Sequence, residues 1–315
     1  MPDRAILEEL IAQAVLAPSS HNTQPWLFEI AGTELRLRAD GDRTLPVNDP
    51  EDRELVISCG CALFNLRAAA AAAGLGCQVR AFPDAADPEL LAGIGFAGPP
   101  DPALAALAPA IAGRRTHRGP FAAGAVAEGD VAALVRAAEA EGARLAIIGD
   151  AAQRSSIAEL VAEGDAAQWR DPAWRDELAR WMHPKREGDG LSLPAPAVPV
   201  ARAVVRRLDL GGRVGAKDRA LALRAPVLAV LGTDADGPAD RLAAGQALQR
   251  LLLVAAAAGL QASYLNQPVQ LPALRPRLAA LCGGEGAPQI LLRIGRQKAI
   301  LPPAPRRPLA AVMTG

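Results

Sequence analysis

Residues 4 to 16, RAILEELIAQAVL, place apolar side chains at Leu7, Leu10, Ile11, Ala14 and Val15. That spacing predicts a helix with one buried face, which Pro18 then stops. Residues 26 to 38, WLFEIAGTELRLR, change to alternation in two stretches around Ala31-Gly32-Thr33, the pattern of a hairpin. Residues 55 to 75 are almost continuously apolar and rich in alanine, which predicts a buried helix; 128 to 141 predict an amphipathic one. RLAIIGD (144 to 150), PVLAVLGTD (226 to 234) and PQILLRIG (288 to 295) read as buried strands, and ELLAGIGFA (89 to 97) as a further candidate. Periodicity fades in PKREGDGLSLPAPAVPV, residues 184 to 200. Its Pro and Gly content predicts a long loop, of the kind that serves as a lid or stays disordered.

Two of these patterns are similar to each other. GCALFNLRAAAAAAGL (60 to 75) and GQALQRLLLVAAAAGL (245 to 260) align without a gap. They match at Gly60/Gly245, Ala62/Ala247, Leu63/Leu248, Leu66/Leu251, Gly74/Gly259 and Leu75/Leu260. Alanine-rich helices match easily by chance, but each copy is followed by a strand candidate. Two similar halves suggest a fused dimer with pseudo-twofold symmetry.

Composition narrows the class. At 315 residues the chain can form two domains or one two-lobed body, and 50% apolar with 22% charged residues reads as soluble and globular. The formal net charge of zero removes the electrostatic drive toward nucleic acid or an anionic membrane, so neither is expected as a partner. Cys59, Cys61, Cys77 and Cys282 do not form a disulfide framework; buried free thiols in a reducing, cytoplasmic compartment fit them. No signal peptide opens the sequence, and the most apolar run, 251 to 260, is too short to span a bilayer. No His/Cys/Asp cluster has metal spacing, so no metal is expected. GGEG at 283 to 286 lacks the Lys-Ser/Thr of a phosphate loop.

Two segments carry chemistry. APSSHNTQPWLF, residues 17 to 28, packs two serines, His21, Asn22, Thr23 and Gln24 beside a Pro-Trp pair. In RRTHRGPF (114 to 121), Arg114, Thr116 and Arg118 alternate and would face one way in an extended chain. Guanidinium forks with a hydroxyl suit a phosphate dianion, although a solvated basic turn would have the same composition. Trp26 reads as a core anchor. His21 reads as a turn histidine or one beside the site. His183 with Trp169, Trp174 and Trp181 reads as packing beneath the proline-rich segment.

LAPSSHNTQPWLF resembles the flavin-binding segment of the nitroreductase family, Ala-Pro-Ser-x-x-Asn-x-Gln-Pro-Trp, and RRTHRGPF resembles its Arg-x-Ser-x-Arg/Lys phosphate segment with Thr116 in place of the serine. Ordinary members carry the arginine segment first. The reversed order here is similar to the Acg-type branch, in which two nitroreductase halves are fused.

The resemblance implies an α+β fold of two halves, 1–109 and 110–315, each with a mainly antiparallel sheet flanked by helices. It implies one FMN site, because the Pro-Ser and arginine segments each occur once. Arg114, Thr116 and Arg118, joined by Arg306 or Arg307, would hold the phosphate. Pro18, Ser19, Ser20, Asn22 and Gln24 would line the flavin, and the loop Tyr264, Leu265, Asn266 and Gln267 would lie near its N5. Asn266 falls where many members have an acidic residue. No catalytic side chain is assigned.

The activity implied is NAD(P)H-dependent reduction, with NADH or NADPH as donor and a small-molecule nitroaromatic or quinone-like acceptor. The alternative is an FMN storage or sequestration protein with a lid at 184–215 and little turnover. As a pseudo-dimer the chain would be a monomer, or would pair again as a homodimer. Within the lid region, ARAVVRRLDLGG is expected to form a short helix packing through Val204, Val205 and Leu208.

Overall fold

The computed structural model describes residues 2–184, 188–299 and 301–314. The first part of the chain runs α1 (Arg4–Ala14), β1 (Trp26–Ala31), β2 (Glu34–Ala39), α2 (Arg53–Ala72), β3 (Cys77–Ala81), β4 (Leu90–Phe96), α3 (Pro102–Ala105) and α4 (Glu128–Glu139). Next come β5 (Arg144–Ile147), α5 (Ala151–Arg170), α6 (Pro172–Arg180), β6 (Met182–Pro184), β7 (Leu191–Leu193), α7 (Val198–Arg207) and α8 (Gly211–Leu223). The last part holds β8 (Val227–Thr233), α9 (Pro238–Ala257), β9 (Gln261–Tyr264), α10 (Gln267–Gln270), α11 (Arg275–Leu281), β10 (Ala287–Gly295) and β11 (Met313–Thr314).

The fold is α+β. One sheet has the order β11-β1-β2-β4-β3 and is antiparallel except where β11, from the far end of the chain, adds parallel to β1. The other has the order β5-β8-β10-β9 and is antiparallel throughout. A main core joins them. Phe28, Leu35 and Leu37 from the first sheet meet Leu63 and Leu66 of α2, Leu248 and Leu251 of α9, and Leu292 and Ile294 of β10. A smaller core packs α5, α8 and α11 against the outer face of the second sheet. Trp26 is fully buried in the main core, as its anchor reading expects.

The long apolar helices α2 and α9 cross at Gly60 and Gly245. A Cβ on Gly60 would fall 2.4 Å from the Leu242 carbonyl oxygen, and one on Gly245 would fall 2.1 Å from that of Ile57. Only glycine leaves room for backbones this close. By length and composition α2 could cross a membrane, but here most of it is buried at the centre of the fold. Cys59 and Cys61 are buried, with Cys61 pushed up to about 12 by burial; Cys77 and Cys282 are half-buried.

The proline-rich segment differs from its expectation. Residues 185–187 of the expected 184–200 loop lie outside the described residues. The rest is not structureless: Met182–Pro184 pairs in parallel with Leu191–Leu193, and α7 starts at Val198, inside the proline run. Pro199 falls in the first turn, where a missing N–H costs no helical hydrogen bond. Of the three side chains expected to pack α7 down, only Val205 is buried; Val204 and Leu208 are exposed. The helix turns Val205 toward Trp169 and Ala179 and carries its neighbours to solvent.

Candidate active site

The site is built where the end of α1, the start of α2, the 114–118 segment and the loop after β9 converge. After α1 the backbone takes three left-handed residues, His21 (φ 49°), Asn22 (φ 56°) and Gln24 (φ 53°). Non-glycine residues in that region cost energy and gather at functional sites. The distortion folds the polar segment into a tight knot, in which Ser19 Oγ accepts the Gln24 N–H at 3.0 Å and half-buried Pro18 marks the turn.

The 114–118 segment lies along β9. The His117 N–H donates to the Ala262 carbonyl at 2.9 Å, and Thr116 bridges Ala262 in parallel. Alternation then works as the sequence implies. His117 turns away to stack on Phe121, ring centroids 5.0 Å apart, while Thr116 bonds Tyr264 and Arg118 lies near His21 and Tyr264.

Arg114 is 6% exposed, and among the described residues its Nε and Nη1 have no hydrogen-bond partner, while Nη2 donates to the Leu16 carbonyl at 3.3 Å. Arg306 reaches the same carbonyl at 3.0 Å, with further bonds to Val15 (2.7 Å) and Ala17 (3.1 Å). Burial first, then Arg114 and Arg115, pull Arg306 down to about 9. Burial likewise lowers Arg114. The carbonyls at the negative end of α1 relieve the crowding only in part. Unpartnered guanidinium nitrogens in a crowded cationic corner suit a phosphate dianion.

Other expected contacts are engaged within the protein. Asn22 Nδ2 donates to the carbonyls of Gly190 (3.4 Å) and Pro305 (3.3 Å), and Gln24 Nε2 to that of Gly188 (2.9 Å). The Arg307 N–H donates to Gln24 Oε1, and the Arg307 guanidinium pairs with Asp40 at 3.0 Å, so Arg306 and not Arg307 joins the cationic corner. The loop after β9 divides its roles. Tyr264 faces Arg114, and burial raises its hydroxyl. Leu265 belongs to the smaller core. Gln267 turns toward Asp165 (3.1 Å) and Asp218 (3.2 Å). Asn266 accepts the Leu291 N–H on Oδ1 at 3.1 Å and donates from Nδ2 to Glu54 at 3.0 Å.

Sequence reasoning passed over several groups. Glu54, in the first turn of α2, is 4% exposed and also accepts from Ser20 Oγ (2.5 Å) and Gln270 Nε2 (2.9 Å). An acidic residue in a first turn reads from sequence only as a helix-dipole partner. His21 has a buried Nδ1 with no hydrogen-bond partner among the described residues, and its pKa is lowered, by burial most, with Glu54 opposing and Arg118 adding. Asp189 lies across the site, pairing with Arg43 at 2.8 Å and with His183 Nδ1 at 2.6 Å; Arg43 also donates to the Thr23 carbonyl. The neighbouring α6 is held to the chain before α2, where Glu177 accepts the N–H groups of Val47 and Asn48.

No family model matches the chain. Relatives match over nearly its whole length. The Mycobacterium tuberculosis H37Rv protein named "Putative NAD(P)H nitroreductase Rv3131" is 35% identical over 99% of this chain and 92% of its own length. That organism's "Putative NAD(P)H nitroreductase acg" is 32% identical over 99% and 97% respectively. A solved FMN- and NADPH-dependent nitroreductase, NfnB from a Sphigopyxis strain, is 20% identical, with a TM-score of 0.43 over 66% of this chain and 98% of its own; at that distance it carries no argument. The full-length relatives show that the chain belongs to the nitroreductase family, in the branch that includes Acg.

Proposed function

We propose that the protein is an FMN-dependent oxidoreductase that accepts a hydride from NADH or NADPH and reduces a small nitroaromatic or quinone-like acceptor. The observation that carries this reading is Arg114, whose Nε and Nη1 are buried beside Arg306 with no hydrogen-bond partner among the described residues. A phosphate dianion would satisfy both nitrogens and relieve the repulsion between the guanidiniums. Thr116 would add a hydroxyl, and the exposed Arg118 would close the mouth. Pro18, Ser19, Ser20 and Tyr264 would line the ring, while Asn22, Gln24, Leu265, Asn266, Gln267 and Arg307 would hold those residues in place. When bound, FMN supplies the hydride-accepting ring; the side chains here bind it, orient it and limit water. No carboxylate pair or nucleophile need act as acid or base.

The two halves, 1–109 and 110–315, would derive from fused subunits. The Gly60–Gly245 crossing supports this, because the close carbonyls of Leu242 and Ile57 are equivalent in the aligned repeats. One arginine segment and one Pro-Ser segment would make one FMN site per chain.

A second reading, FMN storage with little turnover, is favoured by one observation. Residues 188–190 are bonded directly onto Asn22 and Gln24, as a closed lid would be. Anaerobic stopped-flow mixing of the FMN-loaded protein with NADPH separates the two. Rapid bleaching of the flavin band is expected for a reductase, and a band that persists favours storage.

A further inference from the structure

Glu54 is a buried carboxylate whose hydrogen bonds come from three neutral donors. Among the described residues it forms no ion pair, and its partners are the Ser20 hydroxyl and the side-chain amides of Asn266 and Gln270. Burying a charge on neutral donors alone is expensive, so the arrangement calls for a purpose beyond stability. Its partners come from opposite sides of the site. Ser20 belongs to the polar segment after α1, and Asn266 and Gln270 belong to the loop after β9 and to α10.

The orientation of Asn266 is fixed as well. Its oxygen takes the Leu291 N–H, so its amide nitrogen must face Glu54. The neutral residue at 266 thus leads directly to a carboxylate supplied from α2. Nearby charges respond to Glu54: it raises His21 against burial, and it adds to the burial that pushes Asp49 up to about 7.

We infer that Glu54 is a positioning residue that clamps the Ser20 loop to the Asn266 loop and holds a fixed negative charge beside the redox cofactor. The inference rests on the FMN reading above. A fixed negative charge disfavours adding electrons to a neighbouring group. The Ser20 and Asn266 contacts also hold the two loops at a set separation. The first effect depends on charge and the second on shape, and two substitutions separate them.

Glu54→Gln removes the charge at nearly constant volume, and Ser20→Ala removes one clamp contact but keeps the charge. The two-electron midpoint potential of the FMN-loaded proteins is measured by anaerobic dye equilibration, FMN Kd by flavin fluorescence, and the Tm of each apoprotein alongside. Glu54→Gln is expected to favour the reduced form about tenfold, a rise of about 30 mV for a two-electron couple. FMN Kd should change less than tenfold, because the phosphate corner is untouched. Ser20→Ala should weaken FMN binding and leave the potential in place.

An unchanged potential in Glu54→Gln, or an equal rise in Ser20→Ala, overturns the inference while leaving the FMN reading intact. If Glu54→Gln does not fold, Glu54→Asp takes its place. That variant keeps the charge, so it should hold the potential and lose affinity, and a raised potential there overturns the inference. A wild-type chain that takes up no FMN ends both readings together.

Discussion

Arg114 and Arg306 donate to one and the same carbonyl, that of Leu16, at 3.3 and 3.0 Å. One arginine comes from the segment beside β9 and the other from the far end of the chain, and among the described residues neither forms an ion pair. In the protein alone this corner is a liability, because the buried Arg114 and the half-buried Arg306 repel each other and backbone carbonyls offset this only in part.

Arg114→Met should therefore act in opposite directions on folding and on binding. FMN affinity should fall about ten- to a hundredfold, the loss of a charge-assisted phosphate contact worth roughly 1.5–3 kcal/mol. The apoprotein's Tm should hold or rise. Fluorescence titration and thermal melts of the same preparation check both, and wild-type affinity in the variant would remove Arg114 from the phosphate site. Arg118→Ala, at the exposed mouth, should cost about tenfold in affinity and nothing in Tm.

One FMN per chain is expected. Flavin released by heating, counted against protein concentration, gives the ratio directly; a value of two would refute a single site.

Loosening the Asp189 contacts should free residues 188–190, whose carbonyls accept from Asn22 and Gln24. Asp189 binds Arg43 and His183, and these contacts lower its pKa although burial, the largest influence, acts against them. Asp189→Asn should speed reduction of bound flavin by NADPH about tenfold, since the ion pair with Arg43 is worth on the order of 1.4 kcal/mol or more. FMN affinity should stay within about twofold. A stopped-flow trace identical to wild type would mean that residues 188–190 do not limit access. Because the folded pKa is depressed, this contact is present above the ordinary carboxylate range and is lost as pH falls through the lowered value.

Stability should fall as pH rises from about 4 to 7. Asp165, raised by burial and then by Asp218, and Asp49, raised by burial and then by Glu54, are both pushed up to about 7. Each folded pKa lies above its unfolded value, so the folded chain holds more protons in that window. Their contribution is full below the unfolded pKa and lost as pH passes the folded one. Asp165→Asn should flatten the slope and stabilise the protein at pH 8 by on the order of 1–2 kcal/mol. Urea melts across the range measure it, and an unchanged slope would show that Asp165 does not titrate there.

Gly60→Ala should destabilise the fold by about 1–3 kcal/mol, outweighing the usual helical gain of about 1 kcal/mol. The new methyl would meet the Leu242 carbonyl, which is backbone and cannot rotate away. A Tm at or above wild type would mean that the helices separate at little cost.

Much of this was legible in the sequence, for physical reasons. Alternation set the β1–β2 hairpin and the facing of Arg114, Thr116 and Arg118 against His117, because those patterns are local. Side-chain amides were harder to read. The family resemblance implies that Asn22, Gln24 and Gln267 line the cofactor, and each also finds protein partners far along the chain. Glu54 reads from sequence only as a helix-dipole partner, since its further meaning depends on three donors from distant segments. The Pro/Gly composition of 184–200 hid the β6–β7 pairing, which is set by contact with Trp181 and Asp189 and not by periodicity.

The crossing of α2 and α9 has one more consequence. Glu54 on α2 and Asn266 beyond β9, far apart in sequence, meet within a single covalent chain. In an assembly of separate subunits, such a site would come apart on dilution. Here the two sides are held at a fixed effective concentration by the backbone itself. Cofactor affinity and Tm should accordingly be independent of protein concentration, so the site persists even where the protein is scarce.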